Sequence, residues 1–595
     1  MRSSGLSTNR WLITAVLLTG TAAVLSSQNT PADRAGGIAE ILSADDVRAV
    51  LTVAATALGN DTLAAAVVDR TGNILGAYTR PGADERSPDI AVSVARGGAM
   101  FANDQAPLSS RTVRFISGIH FPPGVKNTGT AALYGVENIN RGCKVDVLGD
   151  AVFNAPFPRP TSIAGAFGDG AGTTPLPCDP SATRGCARGG PMLDDHGEGL
   201  PSVGITTGKA DVFDTGQDQL GAVPVNPGGI PIYRGGKVVG GVGVAGVAPN
   251  LAEYAATLAA AGAGRGLDFN EPLGAPGAVF IDGLRLPFFG TCTNIPCIRR
   301  ALKTRPAGSS AGSLSSGAFI VQPRDGLQAP ENYVLGPRGS SLPGGLSEDE
   351  VRRIIEQSVA VAFRTRAMIR LPVNQPARMT LSISDETGTI LALYRMPDGT
   401  VFSSDVAMTK ARNAYYFSTR EGYEVLRDIA QNGEHDRYTW TPEPPAGKGW
   451  AITARTISFA GQPLFPPGVD LEEQLEKNDA EIQRGPWFDL YVYDSKNVCT
   501  EGPGASRGGN RSYLNQSGIV WFPGSVPLYR GDKVIGGLGV SGDGVEQDDY
   551  VSVLGSEGFH PPDALRVDNS VMTDSQGRAV RLPYLKLPRN PELQK

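Results

Sequence analysis

From Ser347 onward, Val351, Ile354, Ile355, Val359 and Phe363 recur three or four residues apart with charged residues between them. That spacing places them on one face and predicts an amphipathic helix. Ser347 with Glu350 supplies a capping box at its start, and Ser43 with Asp46 approximates one at the head of a similar helix. Two short β-rich runs follow in each case, AAAVVDRTGNILGAY (64–78) and MTLSISDETGTILALY (379–394). Asp opens the turn between the runs and Gly takes its positive φ, so each pair is a hairpin. A second helix is predicted around Ile90–Phe101 and Val406–Phe417, then an irregular insertion, then a hairpin on YRGGK (233–237) or YRGDK (529–533) that ends in a Gly-rich strand. Consecutive strands joined by tight turns are antiparallel, so the expected class is α+β, an antiparallel sheet flanked by helices with long loop insertions.

These patterns occur twice. PGGIPIYRGGKVVGGVGVAG (227–246) and PGSVPLYRGDKVIGGLGVSG (523–542) agree at 13 of 20 positions without a gap. The offset of 296 also aligns Arg285-Leu286-Pro287 with Arg581-Leu582-Pro583, while an offset of 316 aligns Asp69, Gly72, Tyr78 and Arg96 with Asp385, Gly388, Tyr394 and Arg412. RTVRFISGIHFPPGV (111–125) faces RTISFAGQPLFPPGV (455–469) at an offset of 344. The expected organisation is therefore two tandem units, 41–288 and 346–584, differing in their loops and joined by a Gly/Ser/Pro-rich linker at 289–345.

Charge narrows the function classes. With 54 Lys and Arg against 60 Asp and Glu, the net charge is −6, which supplies no basic excess for nucleic acid. Arg2 and Arg10 precede an apolar run from Trp11 to Leu25 and a polar stretch, the pattern of a secretory signal peptide over residues 1–27. The run is short for a membrane span, so the mature protein is expected to be secreted or periplasmic without a stable span. In that setting the six cysteines read as disulfide candidates. Cys178 with Cys186 and Cys292 with Cys297 form local loops, which leaves Cys143 and Cys499.

Catalytic motifs are sparse. Gly241, Gly243, Gly246 and their counterparts Gly537, Gly539, Gly542 satisfy GxGxxG, but inside a Val-alternating strand with no βαβ unit, so close approach by another element is the expected use. Asp69 and Asp385 fit turn-stabilising roles. Ser541 lacks the GxSxG context and is Ala245 in the other copy, and the four histidines (120, 196, 435, 560) form no HxH or HExxH. No catalytic residue is assigned.

The Gly-rich strand pairs, the opening LSADDV and LSEDEV helices, the VVDRTGN hairpin and the helix bearing Lys410, Ala411 and Arg412 resemble the GlcG/HbpS family, which includes the C-terminal module of PduO-type proteins. The resemblance implies a profilin-like fold in each unit, oligomer formation, and haem or another planar tetrapyrrole as ligand for capture, sensing or redox protection. It departs from the motif at Val94, where the helix Lys is missing, and at PNLAE (249–253), which replaces the acidic EQDD (546–549). Ligand candidates follow from residue chemistry: His120 as an axial imidazole, Tyr233 and Tyr529 as phenolates, and Arg96 and Arg412 for ligand carboxylates. The same arginines beside ligand-sized insertions fit an enzyme acting on a small organic acid or on haem, and the Gly/Pro loops fit an envelope interaction protein with vestigial pockets.

Overall fold

The computed structural model describes residues 40–84, 87–117, 136, 227–270, 279–281, 284–462, 465, 483–496, 500–503 and 516–594. Its elements are mixed helix and antiparallel sheet, the α+β class expected from the tight turns.

In the first half, α1 (Ala44–Ala57) leads into β1 (Ala64–Asp69) and β2 (Ile74–Thr79), then α2 (Ser87–Phe101) and α3 (Ser110–Ser117). After the insertion come β3 (Gly229–Arg234), β4 (Lys237–Ala245), α4 (Pro249–Gly262) and the short β5 (Leu267–Asp268), β6 (Phe280–Ile281) and β7 (Leu284–Arg285). Asp46 closes the capping box on Ser43 completely, since a shorter acid at that position still reaches the cap amide at 2.8 Å. Both sheet faces are covered, which is why β1 reads as an unbroken apolar run. Ala66 and Val68 pack under α2, whereas Ala65 and Val67 face α1 and α4.

Residues 289–345, expected as a linker, build parts of both sheets. The segment carries the Cys292–Cys297 disulfide, the helix α5 (Ile295–Ala301), β8 (Ala318–Val321), which pairs with β2, and β9 (Asn332–Leu335), which pairs with a strand of the second half. Its Gly and Pro content marks turns between short elements rather than a free tether. The other four cysteines lie outside the described residues.

The second half runs α6 (Glu348–Arg364), β10 (Thr380–Asp385), β11 (Ile390–Arg395), α7 (Ser403–Phe417), α8 (Arg420–Asn432), β12 (Tyr438–Thr441), α9 (Ala454–Ala460), α10 (Phe488–Lys496), β13 (Ser525–Arg530), β14 (Lys533–Ser541), α11 (Val545–Gly555), β15 (Val571–Asp574) and β16 (Ala579–Arg581). The sheet orders are β5-β3-β4-β1-β2-β8 and β13-β14-β10-β11-β9. Register agrees residue for residue: Ala64 to Asp69 face Ala245 to Gly240, and Thr380 to Asp385 face Ser541 to Gly536. Irregularities fall at the same places, between Ile232 and Tyr233 and between Leu528 and Tyr529.

The Gly-rich strands admit a helix. A Cβ on Gly243 would stand 1.9 Å from the Ala91 carbonyl oxygen of α2, and one on Gly539 1.9 Å from that of Ala407 on α7. Glycine at these positions lets helix backbone lie directly on strand backbone.

Candidate functional site

The repeated tyrosines mark one end of each sheet. Tyr233 and Tyr529 are each the fifth residue of their strand, just after the register shift, and each points toward the C-terminal end of the central helix. What covers that end differs between the halves.

In the first half the end is closed. Tyr233 is wholly buried and its hydroxyl donates to the Asn103 carbonyl at 2.7 Å. Burial, reinforced by nearby Asp104, pushes its phenol well above the ordinary tyrosine range, so it stays protonated. Asn103 accepts the amides of Gln105 and Ala106 at 2.9 and 2.8 Å. Asp104 accepts Lys237 Nζ at 2.7 Å, while its own amide donates to Asp398 Oδ1 of the second half at 3.0 Å. Asp398 is held in turn by Arg370, a fully buried guanidinium that also pairs with buried Asp543 and reaches Gln105 Oε1 at 3.1 Å. Beside these contacts the Phe101 and Phe402 rings stack at 3.8 Å.

In the second half the same end is covered by that half's own Tyr423, Trp440 and Trp487, with a cavity beside it. Thr419, at the position of Asn103, caps α8 by accepting the Gly422 amide at 3.0 Å. A cavity of about 200 Å³ lies here, lined by Tyr529, Arg420, Lys448, Lys533, Glu386 and Asp532. Charges have exchanged places: Glu386 stands where the first half has Arg70, and Arg420 where it has Asp104. On the other side of Tyr529 a cleft of about 340 Å³ is lined by Glu350, Arg353, Arg530, Phe559 and His560. His560 Nε2 is 2.8 Å from the Val553 carbonyl, so that nitrogen carries the proton and Nδ1 is the ring's acceptor. Burial raises the Tyr529 phenol, as it does Tyr233, which disfavours a phenolate in either half.

Arg96 and Arg412 brace the hairpin turns. Their Nε atoms donate to the Gly72 and Gly388 carbonyls at 2.8 and 2.7 Å, and both residues are buried. Asp69 accepts the amides of Thr71 and Asn73 at 2.9 and 3.0 Å, and Asp385 those of Thr387 and Thr389 at 2.8 and 3.1 Å, the turn roles expected of them. Ser541 bonds to Ser403 rather than to an imidazole. His120 lies outside the described residues, and among those described no group of His, Cys, Asp and Glu is arranged to hold a metal ion.

The two departures seen in the sequence prove to be one. Lys410, fully buried on α7, donates to the Val540 carbonyl at 2.8 Å and to Asp548 at 3.1 Å, with the Phe522 ring 4.9 Å away. Burial, only partly offset by Lys410, pushes the Asp548 carboxyl up to about 7. The counterparts in the first half are Val94 and Ala252, so lysine and aspartate are absent together. His560 is the residue that motif reading passed over. Its only sequence signal is its place in Phe559-His560-Pro561-Pro562, just after the second copy's strand pair and helix.

Comparison with known proteins adds a local match. Residues 475–557 match the family model described as haem degrading protein HbpS-like. No curated protein sequence matches the chain. Among solved structures, the crystal structure of a PduOC:heme complex aligns at 20% identity over 36% of this chain and 99% of that one, with a TM-score of 0.19. The Klebsiella pneumoniae protein ORFY aligns at 16% identity over 34% and 86%, with a TM-score of 0.18.

Proposed function

We propose that the chain is an exported protein of two tandem GlcG/HbpS-like units that binds haem or a related tetrapyrrole, and that the second unit carries the site. The observation that carries this reading is where the family match falls. Residues 475–557 contain β13, β14 and α11, the elements that present Tyr529 between its two cavities. Tandem duplication is supported by the shared register and by irregularities at equivalent residues.

The residues present fit the edge of a flat, carboxylate-bearing ring. A 340 Å³ cleft sits at the lower end of the roughly 300–1,000 Å³ usual for ligand sites. His560 would hold the iron through Nδ1, and Phe559, Pro561 and Pro562 line the cleft around it. Arg353, whose guanidinium lies 5.3 Å over the Phe559 ring, would meet a ligand carboxylate, whereas Arg530 is already paired with both oxygens of Glu350. Bound haem would supply an iron centre for capture, sensing or redox protection, and the protein would supply the imidazole.

Haemin titration of the full chain tests this. The wild type is expected to give a saturable Soret shift that His560→Ala weakens by roughly tenfold or more, a loss of about 1.4 kcal/mol. Loss with His120→Ala instead moves the axial ligand into the first unit. No saturable shift in the wild type removes the haem reading. Export is checked by N-terminal sequencing of the secreted product, expected to begin near residue 28 and contradicted by an intact Met1.

A further inference from the structure

Lys410 and Asp548 meet under conditions that favour chemistry between them. Lys410 Nζ lies 3.1 Å from Asp548 Oδ2, and both side chains are buried. The other neighbours of the amine are the Val540 carbonyl at 2.8 Å and the Phe522 ring at 4.9 Å. Asp548 Oδ1 is buried without a hydrogen-bond partner. Backbone closes one side of the pair, since a Cβ on Gly524 would stand 2.6 Å from Asp548 Cβ and 2.7 Å from Lys410 Nζ. Burial lowers the Lys410 ammonium and raises the Asp548 carboxyl, so the two draw together and the proton can cross the contact. An uncharged amine then faces an uncharged carboxyl group. A neutral lysine is a nucleophile, and a contact held in place and shielded from water removes most of the entropic barrier to its attack. A neutral amide also relieves the desolvation cost of a buried ion pair. The adjacent Asp549 is a buried acid whose Oδ1 has no partner and whose charge acts on both members, so it is placed to carry a proton between them.

We infer that Lys410 and Asp548 are a self-modification site, joined by an isopeptide bond between Lys410 Nζ and Asp548 Cγ that ties α7 to α11. The amine attacks Cγ, the new C–N bond forms and the Cγ–Oδ2 bond breaks. Oδ2 leaves as water, carrying the proton of the acid and one proton of the amine, and nothing is oxidised or reduced. The first half cannot make this bond, because Val94 and Ala252 stand at the two positions. The cross-link therefore belongs to the second half alone. There it fixes the helix whose Val553 carbonyl holds His560 in the cleft wall. It also removes chain freedom from the unfolded state across a separation of 138 residues. The bond forms from the chain's own groups and does not rest on the haem reading.

Mass spectrometry of the full chain, reduced and denatured, tests this, with the mass counted from the N-terminus found by sequencing. The wild type is expected to be lighter than its sequence by one water, and proteolytic digestion to yield one branched peptide that joins position 410 to position 548. Lys410→Met is expected to restore the full mass. Asp548→Asn is expected to lose ammonia in place of water, through the same attack on a side-chain amide, a signature that a merely structural role does not produce. The wild-type peptide map decides the matter even where a variant fails to fold. Full mass with separate linear peptides overturns the inference, and so does a water loss confined to a linear peptide. Haemin binding has no part in the readout, so failure of the haem reading and failure of the cross-link are told apart.

Discussion

Asp46 shows how one side chain can serve a helix and a sheet together. It caps α1 through Ser43 and is bound by Arg234 of β3 at 2.8 Å and Arg265 at 2.6 Å. Burial works against its ionisation, but those hydrogen bonds outweigh it and hold the carboxyl down at about 2. Since the unfolded value is near ~3.9, the resulting stability is present above that pH and is lost as pH falls toward 2. Asp46→Asn is expected to cost roughly 1–2 kcal/mol at pH 7 and to flatten the acid limb of stability, which urea unfolding from pH 2 to 7 reads directly. A second expectation concerns Lys410 and Asp548. Asp548→Ala strands a buried ammonium and should cost about 3–5 kcal/mol, whereas Lys410→Val with Asp548→Ala reproduces the first unit's pair and should cost far less. A double-mutant cycle in which the double variant costs far less than the sum of the single variants bears this out, and additive losses contradict it. The sequence placed the tyrosines, the turn aspartates and the paired arginines at equivalent positions, because each is repeated. The Lys410–Asp548 exchange was hidden, because its members lie in segments that align at different offsets and only packing joins them.

Element order and sheet class were legible because tight turns and apolar periodicity are local properties. The central helices begin three residues earlier than periodicity suggests, at Ser87 and Ser403, since polar first-turn residues carry no apolar signal. Residues 289–345 misled for a related reason. Edge strands such as β8 and β9 are four residues long and part-exposed, so composition dominates their appearance. The Gly-rich strands are a third case, in which GxGxxG serves helix packing rather than phosphate. Gly539→Ala should therefore lose about 1–3 kcal/mol or more, because the new methyl meets the Ala407 carbonyl rather than a yielding side chain. Ser541→Ala, which places there the residue that stands at the matching position 245, should change stability by less than about 1 kcal/mol. Thermal unfolding of the two variants separates these outcomes, and equal behaviour would argue against the close helix approach.

At the scale of the molecule, the same apolar face occurs twice with different covers. In the first half Met100, Phe101, Tyr233 and Leu286 are buried by Ile369, Phe402, Val520 and Phe522 of the second. The equivalent Tyr416, Phe417, Tyr529 and Leu582 are buried by Tyr423, Trp440 and Trp487, which the second half supplies from its own insertion. The halves therefore meet through unlike surfaces, the C-terminal end of α2 against the N-terminal end of α7, a heterologous contact. No repeat search could have shown this, because the cover of each face comes from residues that do not repeat. Phe402→Asp buries a charge in that contact and is expected to cost about 3 kcal/mol or more, with faster amide exchange at Met100 to Ala106. The Tyr233 end of the first half is filled by the second half, whereas Tyr529, buried by its own half, is flanked among the described residues by two cavities. The most direct test is the stoichiometry of haemin binding to the full chain by absorbance titration. The account predicts one equivalent per chain, weakened by His560→Ala, and two equivalents or no saturable binding would contradict it.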